Sequence, residues 1–278
     1  MRLRNYIEPF VELILSKATL KFRLMRFFGR IPFIRNHGFD SSYEQTLNEV
    51  KFIDMRSDVP PLEIINRLRS VGVSTGINLT QSFLKYLENR VRIGKFIDRV
   101  DKSGSFELDP YNLNNPGNGY LYSLMNVHKD DERIGKFVLD EVKPVADAYI
   151  GADAQLINTQ IWATFPDGRV DYNPDFGFHY DLDDYRFLKF FIYLTDVDEN
   201  CGPHEVVLGS HRGNKLFRFF NRRLDDHLPC KFLPRIKTII GKKGEGFFED
   251  TLCYHRGIRP NKARLIFQVQ FALDSPDN

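Results

Sequence analysis

FHYDLDDYRFLKFFIYLTDVDENCGPHEVVLGSHRG, residues 178–213, opens with a histidine and an aspartate two positions apart and then runs into a hydrophobic strand. Residues i and i+2 of an extended chain project to one face, so His179 and Asp181 present an imidazole and a carboxylate side by side while Tyr180 points away. The same alternation sorts the strand that follows. Leu188, Phe190, Ile192 and Leu194 form one apolar face, and Lys189, Phe191, Tyr193 and Thr195 form a mixed face expected to look into a polar cavity.

Working outward, short strand-like runs bounded by Gly, Pro, Asp or Asn fill the chain after Gly151: AQLINTQIWATF, RFLKFFIYLTDV, HEVVLGS, RIKTIIG, EGFFEDTLCYH and ARLIFQVQFAL. Many short strands within ~120 residues predict a sandwich or jelly roll. Before Gly151 the apolar spacing is three and four. SSYEQTLNEVKFID, LEIINRLRSVGV after Pro60-Pro61, TQSFLKYLENRVRIGKFIDRV and ERIGKFVLDEVKPVADAYIG read as helices, and LDPYNLNNPGNGYLYS reads as loop. Because helices precede strands instead of alternating with them, the expected fold class is α+β. Residues 1–39 form a basic N-terminal segment, 40–150 a mainly helical scaffold and 151–278 the β core, with the last two packed as one compact domain.

The chain has 278 residues, 42% hydrophobic and 27% charged, which suits a globular protein with a sizeable core. Cys201, Cys230 and Cys253 give neither an even disulfide framework nor a zinc-site pattern, so a reducing, cytoplasmic setting is expected. Residues 1–39 carry eight Lys or Arg against Glu8 and Glu12. No run approaches the roughly 20 apolar residues of a membrane span. Val11, Ile14, Leu15, Ala18, Phe22 and Met25 nevertheless fall on one helical stripe flanked by Lys17, Lys21, Arg23 and Arg26. That stripe either packs on the protein's own core or lies against an anionic membrane from the inner, cytoplasmic side.

Two ligands make half a metal site, and a third has to return from a later strand. His204 and His211 follow too soon after the first pair, and His227 sits in a polar, basic loop. His255 ends the strand EGFFEDTLCYH, and the next strand begins with Arg264. His179, Asp181 and His255 would form a two-histidine, one-carboxylate facial set, which leaves the opposite face of an octahedral Fe(II) open to a 2-oxo acid and O2. Arg264 would anchor the far carboxylate of that acid by a forked ion pair. On LINTQIWATF, Asn158, Gln160, Trp162 and Thr164 share a face. On the last strand, Leu265, Phe267, Val269 and Phe271 should pack on the scaffold, leaving Arg264, Ile266, Gln268 and Gln270 inward. Gln160, Tyr193 and Lys189 are therefore candidate contacts to the cosubstrate, although Gln160 and Tyr193 would equally suit bonds to backbone groups near the barrel mouth.

Taken together, FHYD, LKFFIYLTDV, NCGPHEVVLGSHRG and CYHRGIRPNKARLIF resemble the phytanoyl-CoA dioxygenase family of Fe(II)/2-oxoglutarate-dependent oxygenases over roughly residues 155–273. Leu208 stands where the family often has proline, and Cys201 adjoins Gly202-Pro203, both in a structural turn. The resemblance implies a double-stranded β-helix core, His179, Asp181 and His255 as iron ligands and Arg264 as the 2-oxoglutarate anchor. It also implies O2 as oxidant, ascorbate as supporting reductant, and hydroxylation coupled to decarboxylation of 2-oxoglutarate. Asp181 favours hydroxylation, since related halogenases carry a small residue at that position.

Between Arg212 and Lys262, thirteen Lys or Arg face five Asp or Glu, and KLFRFFNRR interleaves phenylalanine with arginine. Such an excess is either a solvated face or a field for an anionic substrate. With the basic start of the chain, an anionic amphiphile at a membrane surface is the expected substrate, and the Kdo sugar of Kdo–lipid A, the target of one branch of the oxygenases, is the named candidate. An acyl-CoA or soluble secondary metabolite would suit the same core. A nucleic-acid-binding module would explain the basic, aromatic stretch but not the His179, Asp181, His255 and Arg264 set, and no nucleic-acid partner is expected. A zinc hydrolase could use the same three ligands.

Overall fold

The alternation of apolar and polar residues along the C-terminal strands becomes two layers in the computed structural model, which describes residues 9–10, 13–14, 16, 18–100, 102, 104–166, 176–213, 215–224 and 230–274. Val11, Leu15 and Lys17 of the proposed stripe, and His227, lie outside the described residues. The strands are β1 (Met55–Ser57), β2 (Val73–Leu79), β3 (Ile97–Asp98), β4 (Leu121–Met125), β5 (Gln155–Thr164), β6 (Phe187–Tyr193), β7 (His204–Val207), β8 (Ile236–Ile239), β9 (Glu245–Glu249), β10 (His255–Gly257) and β11 (Arg264–Ala272). Eight form one antiparallel sheet in the order β1-β2-β9-β6-β11-β5-β4-β3, and β10-β7-β8 form a second. The expected α+β jelly roll is met.

One face of the large sheet carries the main core. Leu188, Phe190, Ile192 and Leu194 pack there with Leu265, Phe267, Val269 and Phe271, all almost fully enclosed. Each such side chain contributes roughly 1.5–3 kcal/mol through burial. Against this face lie helices whose ends follow from the sequence. The Pro61–Val71 helix starts with proline at its first turn and stops at Gly72, which adopts the left-handed conformation (φ 87°). A Cβ at Gly72 would run into Cys253 Sγ, so two separate requirements exclude a side chain there. The Gln81–Ile93 helix is capped by Thr80, whose Oγ1 accepts from the Phe83 amide at 3.3 Å.

The stretch read as helical scaffold also supplies four strands of the large sheet, β1 to β4. β2 pairs with β9, and β4 pairs with β5, so residues 40–150 are stitched into the β core by backbone hydrogen bonds. A single π turn, Val138–Val142, follows the Glu132–Phe137 helix and places Glu141 beneath β1. There its carboxylate accepts from the amides of Ile53, Asp54 and Met55 at 2.8, 2.9 and 3.1 Å.

At the start of the described chain, the Leu20–Phe28 helix buries Met25. Its neighbours tie it to the jelly roll. Arg26 Nε donates to Leu182 O at 3.2 Å, Arg30 Nη1 donates to Phe219 O, and the Phe27 and Phe219 rings meet edge to face at 5.5 Å. This part of the basic segment packs on the protein's own core.

Candidate metal centre

The inner face of the large sheet looks toward the small sheet, and the convergence expected from the sequence occurs between them. A backbone bridge joins His179 to His255, with His179 N to His255 O at 3.0 Å and His255 N to His179 O at 2.8 Å. The Asp181 amide donates to Thr251 O at 2.8 Å, which fixes the carboxylate-bearing turn. Residues far apart in the chain are thereby held in register by main-chain bonds. One ligating atom from each of His179, Asp181 and His255 lies within 4.8 Å of the others.

Tautomers follow from the partners. His179 Nδ1 lies 2.9 Å from Gly177 O, and His255 Nδ1 lies 3.0 Å from Cys253 O. A carbonyl can only accept, so each Nδ1 carries a hydrogen and each Nε2 is the ring nitrogen left to face a metal. Those Nε2 atoms stand 3.8 and 3.6 Å from the Asp181 oxygens. Burial, reinforced by the neighbouring His255, pushes the His179 ring down to about 3, so it is neutral at physiological pH. Burial raises the Asp181 carboxyl, but the Lys189 ammonium at 2.7 Å and the neighbouring His255 and His179 rings together outweigh burial and hold the group well below the usual carboxylate range. Two imidazole nitrogens and one carboxylate, gathered with no bond between them that closes the set, fit a divalent transition metal.

The remaining expected contacts divide three ways. Lys189 bridges Asp181 and Asp183 at 2.7 and 3.0 Å, so its charge is taken up by two carboxylates of the protein itself. Tyr193 donates its hydroxyl to Ile239 O at 2.6 Å across the two sheets, and burial pushes that hydroxyl up to about 12. It is the backbone bond that the sequence reading held open for this residue. Gln160 is buried, and its Oε1 has no partner among the described residues. Arg264 enters the same chamber. It donates Nη1 to Gly202 O, its Nε is enclosed without a partner, and no carboxylate among the described residues pairs with it. A guanidinium left so is suited to an incoming carboxylate, and the chamber therefore fits 2-oxoglutarate at this end.

His204 was set aside as too near in sequence to face the pair, yet β7 pairs with β10 and stacks its ring on His255 at 5.4 Å and 20°. Its Nε2 is 2.7 Å from a carboxyl oxygen of Glu249, a residue with no exposed surface. Burial pushes His204 down to about 3 and Glu249 up to about 8, so both groups are held neutral. The usable signal was alternation: Phe247 and Glu249 share a face of β9, and Glu249 is the cross-strand partner of Lys189. His211, by contrast, is a packing residue, bonded through Nδ1 to Cys253 Sγ at 3.0 Å and through Nε2 to Arg69 O at 3.1 Å.

Part of the basic segment is also consumed internally. Arg218 is buried 4.4 Å over Tyr180 and donates to Ser210 O and Leu252 O, both at 2.7 Å. Arg256 pairs with Glu205 at 2.8 Å and Lys243 with Glu88 at 2.6 Å. The field available to a substrate is smaller than the residue count implies.

No protein-family model matches the chain, and no curated protein sequence matches it. Among the described residues, no helix is long and apolar enough to cross a membrane. Solved structures do match in fold. One is the non-heme alpha-ketoglutarate-dependent epimerase SnoN from nogalamycin biosynthesis, with a TM-score of 0.53 at 13% identity over 76% of this chain and 82% of that one. Another is EvdO2 from Micromonospora carbonacea var. aurantiaca complexed with 2-oxoglutarate, with a TM-score of 0.51 at 15% identity over 81% and 96%. At these identities the likeness is one of architecture: this chain has the fold of those two proteins.

Proposed function

We propose that this protein is an Fe(II)/2-oxoglutarate-dependent oxygenase that hydroxylates an anionic, amphiphilic substrate. The observation that carries the reading is the convergence of His179, Asp181 and His255, with both Nε2 atoms freed by backbone carbonyls, in the chamber that Arg264 enters without a carboxylate partner. Bound there, iron with 2-oxoglutarate and O2 supplies oxidative decarboxylation to succinate and carbon dioxide together with insertion of oxygen into a C–H bond. The chain's own residues position and shield. His179 and His255 offer their Nε2 atoms, Asp181 offers a charge kept ionised with the help of Lys189, and Arg264 offers its fork to the distal carboxylate. Phe191 and Phe247, stacked 5.0 Å apart, wall the interior against water.

The Kdo sugar of Kdo–lipid A remains the named substrate candidate. It is supported by the basic start of the chain and by Ile14, Leu20 and Leu216, large apolar side chains that stand exposed beside cations: Arg23 donates to Ile14 O, and Leu20 and Leu216 adjoin Lys21 and Lys215 in the chain. Anaerobic addition of Fe(II) and 2-oxoglutarate should produce the visible absorption band of a chelated complex, and succinate should then form with Kdo–lipid A in air. His179→Ala or Asp181→Ala should abolish both. Absence of the band, or substantial product from the double variant, would sink the class. Turnover of acyl-CoA but not Kdo–lipid A would reject the substrate while leaving the class intact.

A further inference from the structure

Strand register sets a group of polar side chains on the inner face of the large sheet, away from the helices. Ser123 of β4 is the partner of Trp162 on β5, Trp162 is the partner of Ile266, and Asn158 and Gln160 face Gln270 and Gln268. The intervening residues Tyr122, Leu124, Ile161 and Ala163 point to the helix-side core. Four buried atoms on the β4 and β5 part of this face have no hydrogen-bond partner among the described residues: Ser123 Oγ, Asn158 Oδ1, Gln160 Oε1 and Trp162 Nε1. Buried polar groups are nearly always paired, so four orphans on one face mark a surface completed by something that binds to it.

Their polarity says what that partner carries. Gln270 Nε2 donates to Asp183 Oδ2 at 3.0 Å, and Asn158 Nδ2 donates to Gln270 Oε1 at 3.3 Å. A carboxylate only accepts, so Asp183, held by Lys189 at 3.0 Å, orients the whole row and obliges Asn158 to present its carbonyl oxygen inward. Asn158 and Gln160 thus offer acceptors, Ser123 offers a hydroxyl, and Trp162 offers one N–H beside a broad apolar ring. The dianion of 2-oxoglutarate brings acceptors alone and cannot satisfy Asn158 Oδ1 or Gln160 Oε1. A simple acyl chain satisfies none of the four.

We infer that the inner face of β4 and β5 is the substrate floor, and that the group laid on it is a polyhydroxylated ring, a sugar or cyclitol whose hydroxyls donate to Asn158 and Gln160 while its C–H face rests on Trp162. This deepens the oxygenase reading and rests on it. It moves Gln160 from the cosubstrate, where the sequence set it, to the substrate. It also ties the floor to the metal cluster, because Lys189 holds both Asp181 and the orienting Asp183.

The test uses the full chain loaded with Fe(II) and 2-oxoglutarate under argon, followed through the absorption band of that complex. The probes are Kdo, its per-O-methyl ether, which keeps acceptors and loses donors, and octanoyl-CoA. Kdo is expected to perturb the band and the ether to bind at least tenfold more weakly. Trp162→Phe, which keeps a ring and removes the N–H, and Asn158→Leu should each weaken Kdo about tenfold, with 2-oxoglutarate affinity changed less than twofold. Equal binding of Kdo and its ether overturns the inference, as does a response to octanoyl-CoA alone or to none of the probes. Variants that bind Kdo as the parent does would mean that water fills the face. Variants that lose 2-oxoglutarate in proportion would mean that the face holds the cosubstrate. Either result also overturns it. Failure of the parent protein to form the band is a different result, which removes the oxygenase reading itself.

Discussion

Replacing Arg264 by methionine separates a ligand-binding arginine from a structural one. In the free protein Arg264 makes one charge-assisted hydrogen bond, to Gly202 O, and leaves Nε enclosed and unpaired. Burial pulls the guanidinium below its ordinary pKa, the sign of a charge short of compensation. Loss of the bond costs about 1.5–3 kcal/mol. Relief of an uncompensated buried cation returns an amount of the same order. The two nearly cancel, so Arg264→Met is expected to shift the stability of the free protein by no more than about 1 kcal/mol in either direction, roughly 2–4 °C in Tm. Cosubstrate binding has no such cancellation. Truncating one partner of a buried charge pair costs about 2–5 kcal/mol, which is roughly a 30- to 4,000-fold rise in Kd for 2-oxoglutarate at 1.4 kcal/mol per decade. Thermal melts of the metal-free protein and anaerobic titration of 2-oxoglutarate into the iron-loaded protein measure the two quantities. A melt lowered by more than about 6 °C with unchanged 2-oxoglutarate affinity would show that Arg264 serves the fold and would refute the reasoning.

Lys189→Met should behave in the opposite way, destabilising the metal-free protein by about 3–5 kcal/mol because Asp181 and Asp183 then lose the buried cation they share; a melt within 1 °C of the parent would contradict this. Gly72→Ala combines a left-handed backbone position with a collision against Cys253 Sγ, and should lower stability by at least about 2 kcal/mol, read as a reduced denaturation midpoint with unchanged slope. Burial lowers the His211 pKa, so below the ordinary histidine value near 6.5 the unfolded chain takes up a proton that the folded chain refuses, and stability is lost as pH falls. His179 and His204 carry the same sign. His211→Gln should therefore flatten the stability-versus-pH slope below pH 6.5, by at most about 1.4 kcal/mol per unit, and parallel slopes for the two proteins would reject that account.

How much was legible depends on whether the signal is local. The two faces of β6 could be read because alternation needs only consecutive residues, and Leu188, Phe190 and Ile192 do pack on the helices. β2 and β4 could not. VSTGINL and LYSLM are short, one contains Gly76, and their partners β9 and β5 lie far along the chain or beyond a helix. Nothing inside either segment records that pairing. His204 was lost to an argument from chain distance, which governs a hairpin but not two sheets facing each other: β7 crosses to the small sheet and returns His204 to His255 through β10. Charge misled in a similar way, since composition counts Arg218 among the cations but cannot tell that two carbonyls and two tyrosine rings enclose it.

The residues of the site sharpen the point, because alternation assigns a face and leaves the partner open. Lys189, Tyr193, Gln160 and Arg264 all point inward, and by face alone they are equivalent candidates to meet a ligand. Hydrogen-bond direction makes them different. Lys189 is held by two carboxylates, and Tyr193 has given its only hydrogen to Ile239. Gln160 keeps an acceptor and Arg264 keeps a donor. A carboxylate, which only accepts, can complete the donor at Arg264 but not the acceptor at Gln160. On the proposed reading, a chamber that leaves both open beside His179, Asp181 and His255 would take two molecules at once: a dianion at Arg264 and a donor-bearing substrate on β4 and β5.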